Sequence, residues 1–383
     1  MTAVKAIFRP LHWCFAALGL AALATGAMFA VPVMQPPELV SIHGSASAIM
    51  TADISGPLSW LFGATETWLC TVGALALLAG ALLAVPVSRP PELASISAGR
   101  NAVDTSGLPN LSRYRARDGS ELAYRFYAAA DSGTRSIAIL IHGSGGVASG
   151  LNQIARALVA KGIAVVVPDI RGFGSSGTRG DIGYLGQLDD DMADLAAELR
   201  RQFPQARFDL LGFSSGGAFA LRVAAGKLST AFERLVLLSP SLGYSAPSTK
   251  SAKTAPRWAN ANLPRVLTLG FLHRLGIRFG ESLPVIAFAV PPGSEASQSA
   301  QWSYRLLMNF GAPADLTGAF RSLRSRTTII AGDSDELIAS EKFVDMVQGI
   351  EPKIAVKIVP GPDHMGMLHR PAAIEAVTTA FAA

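Results

Sequence analysis

Two runs near the start of the chain carry no charge. Residues 11–33 read LHWCFAALGLAALATGAMFAVPV, and residues 67–87 read TWLCTVGALALLAGALLAVPV. A helix needs roughly 20 apolar residues to cross a bilayer, and both runs reach that length. Their Ala, Leu and Gly content suits helices that pack closely in lipid. Beyond residue 111 the pattern changes. Short runs dense in Val, Ile and Leu occupy 137–142, 163–168, 208–213, 234–240, 327–332 and 355–361. Each is too short for a span and fits a buried strand. Stretches of helical spacing lie between them, such as LNQIARALVAKG and DDDMADLAAELRRQF. Buried strands alternating with helices predict an α/β domain, a mostly parallel sheet covered on both faces. Residues 241–322 break the rhythm and read as an insertion, a cap over one edge of the sheet. Residues 89–110 mix Pro, Ser, Gly and Asn without a period and read as a linker.

The two uncharged runs are copies of one unit. AVPVMQPPELVSI at 30–42 recurs as AVPVSRPPELASI at 84–96, and PLHW at 10–13 is echoed by PLSW at 57–60. Residues 1–99 therefore read as a duplicated membrane anchor with spans at about 11–33 and 67–87, and 100–383 as the α/β domain. Lys5 and Arg9 precede the first run, no Lys or Arg occurs from 35 to 66, and Arg89, Arg100, Arg113, Arg115 and Arg117 follow the second. Positive charge marks the cytoplasmic side, so both ends, and the large domain, are expected in the cytoplasm. The competing reading takes the first run as a signal peptide, which puts the large domain outside the cytoplasm. Translation from Met50 would leave one span.

Composition narrows the function classes. The mean hydropathy is +0.34, and the uncharged runs account for much of it. The only cysteines, Cys14 and Cys70, lie in those runs, so the large domain has no disulfide framework. The net charge of +5 is a mild excess, and no basic run with interleaved aromatics points to nucleic acid. Asp189, Asp190 and Asp191 open a predicted helix, where negative charge suits the dipole. They have no His or Cys at metal spacing. There is no G-x-x-x-x-G-K-[ST], and no G-x-G-x-x-G in a βαβ unit that would suggest a nucleotide.

The chemistry sits where strands end, because ligands of an open parallel sheet bind outside the carboxyl ends of the strands. After DLLGF comes Ser214, within Gly212-Phe213-Ser214-Ser215-Gly216. A strand that turns sharply into a helix puts such a serine at the apex, its Oγ exposed. After IAILI comes HGSGG, 142–146, a Gly-rich turn that frees backbone N–H groups. The amides of Ser144 and Ser215 are the expected oxyanion donors. His142 reads as structural. A serine hydroxyl needs a histidine to take its proton and a carboxylate to orient that histidine. DSDEL follows the strand at 327–332, and PDHMGML follows 355–361. Asp335 is the candidate acid, with Asp333, Glu336 and Asp363 as rivals. His364 is the candidate base, with His369 as its rival. The turn RGFGSSG reads as structural, anchored by Asp169 and Arg171.

HGSGG, PDIRGFGSSG, GFSSGG, GDSDEL and GPDHMGML stand in an order that resembles an α/β-hydrolase over residues 111–383. Within that superfamily the chain is similar to the monoacylglycerol lipase, lysophospholipase and serine aminopeptidase branch. The resemblance implies Ser214, Asp335 and His364 as a triad acting without cofactor or metal. The paired serines at 214–215 are unusual for the branch, and the doubled membrane segment lies outside its pattern. A membrane-anchored serine hydrolase of lipid-like carboxylic esters is expected, of monoacylglycerol or lysophospholipid type. The alternatives are a peptidase, amidase or thioesterase of the same fold, or an inactive tethered binding protein. An N-terminal amine would need acidic residues in the cap, where Glu281 and Glu295 are the only carboxylates before Asp315.

Overall fold

A computed structural model of the protein describes residues 55–129, 135–250, 256–290 and 299–382. The expected span at 11–33 lies outside the described residues. Two compact units divide the chain, the first ending at Ala84 and the second running Val85–Ala383. In the first, a 30-residue helix, α1, covers Ser55–Ala84. Its stretch Thr67–Ala84 has a mean hydropathy of 2.0, long and apolar enough to cross a membrane. Leu77 is 77% exposed and Leu69 72%, whereas the core helix of a soluble protein buries such residues.

The second unit is built on an eight-stranded sheet. Its strands are β1 (Leu111–Arg115), β2 (Glu121–Tyr127), β3 (Ser136–Ile141), β4 (Ala164–Pro168), β5 (Arg207–Phe213), β6 (Arg234–Leu238), β10 (Arg326–Gly332) and β11 (Ala355–Val359). They are ordered β1-β2-β4-β3-β5-β6-β10-β11. All six runs expected as strands are strands, and their pairs are parallel. β3, β4 and β5 are buried almost throughout, as a sheet covered on both faces requires. Helices α3 (Asn152–Val159) and α10 (Pro371–Ala382) pack on one face. Helices α4 (Gln187–Gln202), α5 (Ser215–Ala225) and α9 (Lys342–Gln348) pack on the other.

Between β6 and β10 the insertion has its own three-stranded antiparallel sheet, β7 (Ala259–Ala261), β8 (Pro284–Phe288) and β9 (Gln301–Ser303). It also holds helix α6 (Leu263–Arg274), capped by the Asn262 side chain accepting from Arg265 N–H. Two shorter helices, α7 (Tyr304–Asn309) and α8 (Leu316–Ser322), lead back to the main sheet.

Two features depart from the expectation. Residues 89–110 are not a plain linker: Ala94–Asn101 forms helix α2, with Ile96 and Gly99 buried. Eight residues with one large apolar side chain cannot display a helical period, and tertiary contacts supply the order instead. The structured unit accordingly begins at Val85 rather than at residue 100. The antiparallel pair β1–β2 also has no counterpart among the expected strands. Its register places Arg113 opposite Ala123 and Tyr114 opposite Leu122, and exposed charges interrupt the apolar run that marks a buried strand.

Candidate active site

β5 ends at Phe213 and α5 begins at Ser215, so Ser214 alone makes the turn. It does so at φ 54° and ψ −121°. A side-chain-bearing residue held in such a region costs ~1–3 kcal/mol. The Ser214 N–H donates to Leu238 O at 2.9 Å, and its carbonyl accepts from Gly217 and Ser241. The turn closes this tightly because Gly216 has no side chain: a Cβ there would stand 2.2 Å from the His142 carbonyl oxygen.

His364 follows β11 and Asp335 follows β10. His364 Nε2 lies 3.0 Å from Ser214 Oγ, and its Nδ1 lies 2.8 Å from Asp335 Oδ2. All three side chains are buried. The other Asp335 oxygen accepts the N–H groups of Leu337 and Ile338, each at 2.9 Å. Burial alone pushes the Asp335 carboxyl up. The His364 charge and hydrogen bond and the two amides outweigh it and hold the group below its ordinary 3.8. Burial likewise pushes His364 down, and Asp335 outweighs it, raising the imidazole above its ordinary 6.5. An ionised Asp335 keeps the proton on Nδ1 and so leaves the Nε2 lone pair facing the Ser214 hydroxyl.

The rivals are occupied elsewhere. Glu336 accepts the backbone N–H of His364 at 2.9 Å, not its ring. Asp333 accepts from Gly361 N–H and Asp363 from Gly366 N–H, so both shape the loop that carries His364. His369 lies beyond the 3-10 turn Met365–Leu368.

The HGSGG turn abuts the serine. A Cβ on Gly143 would lie 3.0 Å from Ser214 Cβ. Among the described residues, the backbone N–H groups of Ser144 and Ser215 donate to no protein acceptor. The Ser144 hydroxyl accepts from Trp258 Nε1 at 2.8 Å, a contact that no motif in the chain announces. His142 is structural, as expected: its Nδ1 lies 2.9 Å from Gly143 O, and Ile170 N–H donates to its Nε2. Burial lowers its pKa and keeps it neutral.

Asp169 ties two loops together, accepting from Ala148 N–H at 2.8 Å and Ser175 N–H at 2.9 Å. Arg171 forms a two-pronged bond with Asp191, both contacts 2.8 Å. The three aspartates that open α4 each meet a different arginine: Asp189 meets Arg222, Asp190 meets Arg117 and Asp191 meets Arg171.

Above Ser214 lies a cavity of about 20 Å³, walled by Ile96, Arg100, Trp258, Leu337 and Met365 among others. That is room for a single water.

A serine, histidine and buried aspartate in hydrogen-bonded order at the strand ends of this sheet define a serine hydrolase of the α/β-hydrolase fold. The serine aminopeptidase family, S33, matches residues 132–369, and the chain belongs to it. No curated protein matches the chain. The fold recurs in solved structures. A soluble variant of monoglyceride lipase from Saccharomyces cerevisiae is 18% identical, with a TM-score of 0.53, over 72% of this chain and 94% of that one. A carboxyl esterase from Bacillus coagulans is 17% identical, with a TM-score of 0.54, over 71% and 97%. A bacterial membrane phospholipase A is 19% identical, with a TM-score of 0.51, over 85% and 98%.

Proposed function

We propose that Ser214, His364 and Asp335 form the catalytic triad of a membrane-anchored esterase acting on lipid-like carboxylic esters. The observation that carries this is the relay in which His364 bridges Ser214 Oγ at 3.0 Å and Asp335 Oδ2 at 2.8 Å. Ser214 Oγ attacks the acyl carbonyl while His364 Nε2 takes its proton. The resulting oxyanion is held by the amides of Ser144 and Ser215. The imidazolium then protonates the departing alcohol, leaving an acyl-enzyme. Water, deprotonated by His364, attacks that ester, and the carboxylic acid leaves as the proton returns to Ser214.

The cavity walls favour an ester over a peptide N-terminus. Ile96, Phe213, Trp258, Leu337 and Met365 are apolar, and the charge beside them is the cation Arg100. An ammonium would be repelled there. Glu281, a cap carboxylate, is paired with His273 and Arg278. The solved relatives include a monoglyceride lipase and a membrane phospholipase A, which makes lipid esters the first class to test.

The uncharged N-terminal segments serve as the anchor, with spans at about 11–33 and 67–87, and the hydrolase domain faces the cytoplasm. The uncharged stretch Thr67–Ala84 and the Lys/Arg distribution around it support this reading.

The test is hydrolysis of p-nitrophenyl esters from C2 to C16 by the full chain in detergent, with Ser214→Ala as control. Loss of turnover in the variant and a preference for long chains support the proposal. A profile that ends at acetate removes its lipid part, and equal rates in both forms remove the nucleophile.

A further inference from the structure

We propose that Lys250, at the start of the insertion, is a positioning residue for catalysis: its ammonium holds the main chain of Asp335 so that the carboxylate stays aimed at His364. This rests on the triad reading above. Asp335 is 0% exposed, so each of its polar atoms needs a partner within the protein. Its N–H donates to Gly332 O at 3.4 Å. One carboxylate oxygen accepts from Leu337 and Ile338 N–H, and the other faces His364 Nδ1. The remaining atom is the carbonyl oxygen, and Lys250 Nζ donates to it at 2.5 Å. Among the described residues no backbone N–H and no other side chain donates to that carbonyl.

The segment that carries Lys250 runs antiparallel beside the acid's loop. Ala339 N–H donates to Ser248 O at 2.8 Å, Thr249 pairs with Ile338 in a single bridge, and Lys250 N–H donates to Leu337 O at 3.4 Å. Leu337 and Ile338 are the residues whose amides hold the carboxylate. The insertion therefore grips Asp335 twice, through the loop that supplies those amides and through the acid's own carbonyl. Backbone bonds of the first kind form whatever the side chains are; the second depends on Lys250. The loop has other fastenings, since Glu336 accepts from Ser95 Oγ and from His364 N–H, but these end on Glu336 and leave the atoms of Asp335 untouched. A charged donor makes a stronger bond than a neutral one, and a buried carbonyl that loses its donor is costly. Carbonyl and carboxylate share one Cα, so a carbonyl that turns away to find another donor carries the carboxylate out of line with the imidazole.

Lys250→Met keeps the apolar stem and removes the donor, and Lys250→Arg keeps a cationic donor. The measurement is kcat, KM and the pH profile of kcat/KM for p-nitrophenyl acetate, with the full chain in detergent. Loss of a hydrogen bond from a charged donor should lower kcat of Lys250→Met ~10- to 100-fold, with KM unchanged and most of the loss recovered in Lys250→Arg. The acid limb should move to lower pH, because a carboxylate out of line no longer raises His364. The His364 Nδ1 proton gives the direct reading. Held by a carboxylate, it resonates far downfield in the proton NMR spectrum, and in Lys250→Met that signal should shift or vanish. A residue that only stabilises the fold would lower the urea midpoint and leave the acid limb and the downfield proton in place. That result overturns the proposal, and so does a wild-type kcat in Lys250→Met. Should Lys250→Met not fold, Lys250→Gln, one bond shorter and uncharged, is read in the same way. Full turnover by Ser214→Ala would sink the triad reading instead, so the two failures are distinguishable.

Discussion

Trp258 donates its indole N–H to the Ser144 hydroxyl at 2.8 Å, and this bond joins the inserted cap to the glycine-rich turn beside Ser214. Gly145 in that turn sits at φ 64°, a conformation glycine adopts freely, so bonds to neighbouring segments fix where the turn stands. Trp258 supplies one such bond from above, as Asp169 does through Ala148 from below. Trp258→Phe keeps the apolar bulk and deletes the donor. We expect kcat on short esters to fall ~3- to 10-fold, the size of one hydrogen bond, with KM little changed. Steady-state kinetics on p-nitrophenyl acetate reads the split. A change in KM alone would mean that Trp258 only shapes the pocket.

Asp335→Asn preserves the volume of the acid and removes its charge. The asparagine amide offers Nδ1 a donor as readily as an acceptor, so His364 is free to take the tautomer that points N–H at Ser214. The nucleophile then has no base. In triads of this kind the loss is ~10⁴-fold in kcat, and we expect that order here. Glu336→Gln is the matching control. Glu336 bonds the His364 backbone rather than the ring, so its loss should cost far less. Equal losses in the two variants would refute the assignment of Asp335.

The strands of the central sheet were legible because burial on both faces makes them nearly continuous Val, Ile and Leu runs, as in 164–168 and 208–213. The site was legible for a related reason. The candidate residues Ser214, Asp335 and His364 follow strand ends, so position as well as type marks them. What was not legible depends on contacts distant in sequence. Helix α2 owes its order to Met365 and Glu336, more than 240 residues away. Trp258 sits in a polar stretch, and only the folded cap turns its indole toward Ser144. The β1–β2 pair carries Arg113, Arg115 and Arg125 on a sheet edge, which hides the strand signal under charge.

Arg171 and Asp191 form a pair whose side chains are 7% and 9% exposed, and Asp118 joins them at 3.0 Å. Arg171→Met leaves Asp191 buried beside an apolar side chain. Removing one partner of a buried ion pair costs ~3–5 kcal/mol, so we expect a clear fall in the urea midpoint of the second unit. Adding Asp191→Leu should recover much of the loss, because the stranded charge, not the missing bond, carries the cost. A double variant as unstable as the single one would mean that the pair is needed for more than mutual neutralisation.

The linked shifts of His364 and Asp335 separate the pH of greatest activity from the pH at which the pair stabilises most. His364 must be neutral to accept the Ser214 proton, so kcat/KM should rise with pH through its folded value, which lies above the ordinary 6.5. Stability runs the other way. A histidine raised on folding contributes fully below 6.5 and loses that contribution as pH climbs through the folded value. An aspartate depressed on folding contributes fully above 3.8 and loses it as pH falls through its lowered value. The pair therefore stabilises most between 3.8 and 6.5, where the base is protonated and turnover is poor. In Asp335→Asn the largest cause of the raised histidine is gone, while burial still lowers it and Glu336 and Asp363 remain, so the acid limb of the residual activity should move to lower pH. Profiles of kcat/KM and of the urea midpoint, measured on wild type and variant over the same range, check both. An acid limb that stays in place when Asp335 loses its charge would show that another group sets the His364 proton affinity.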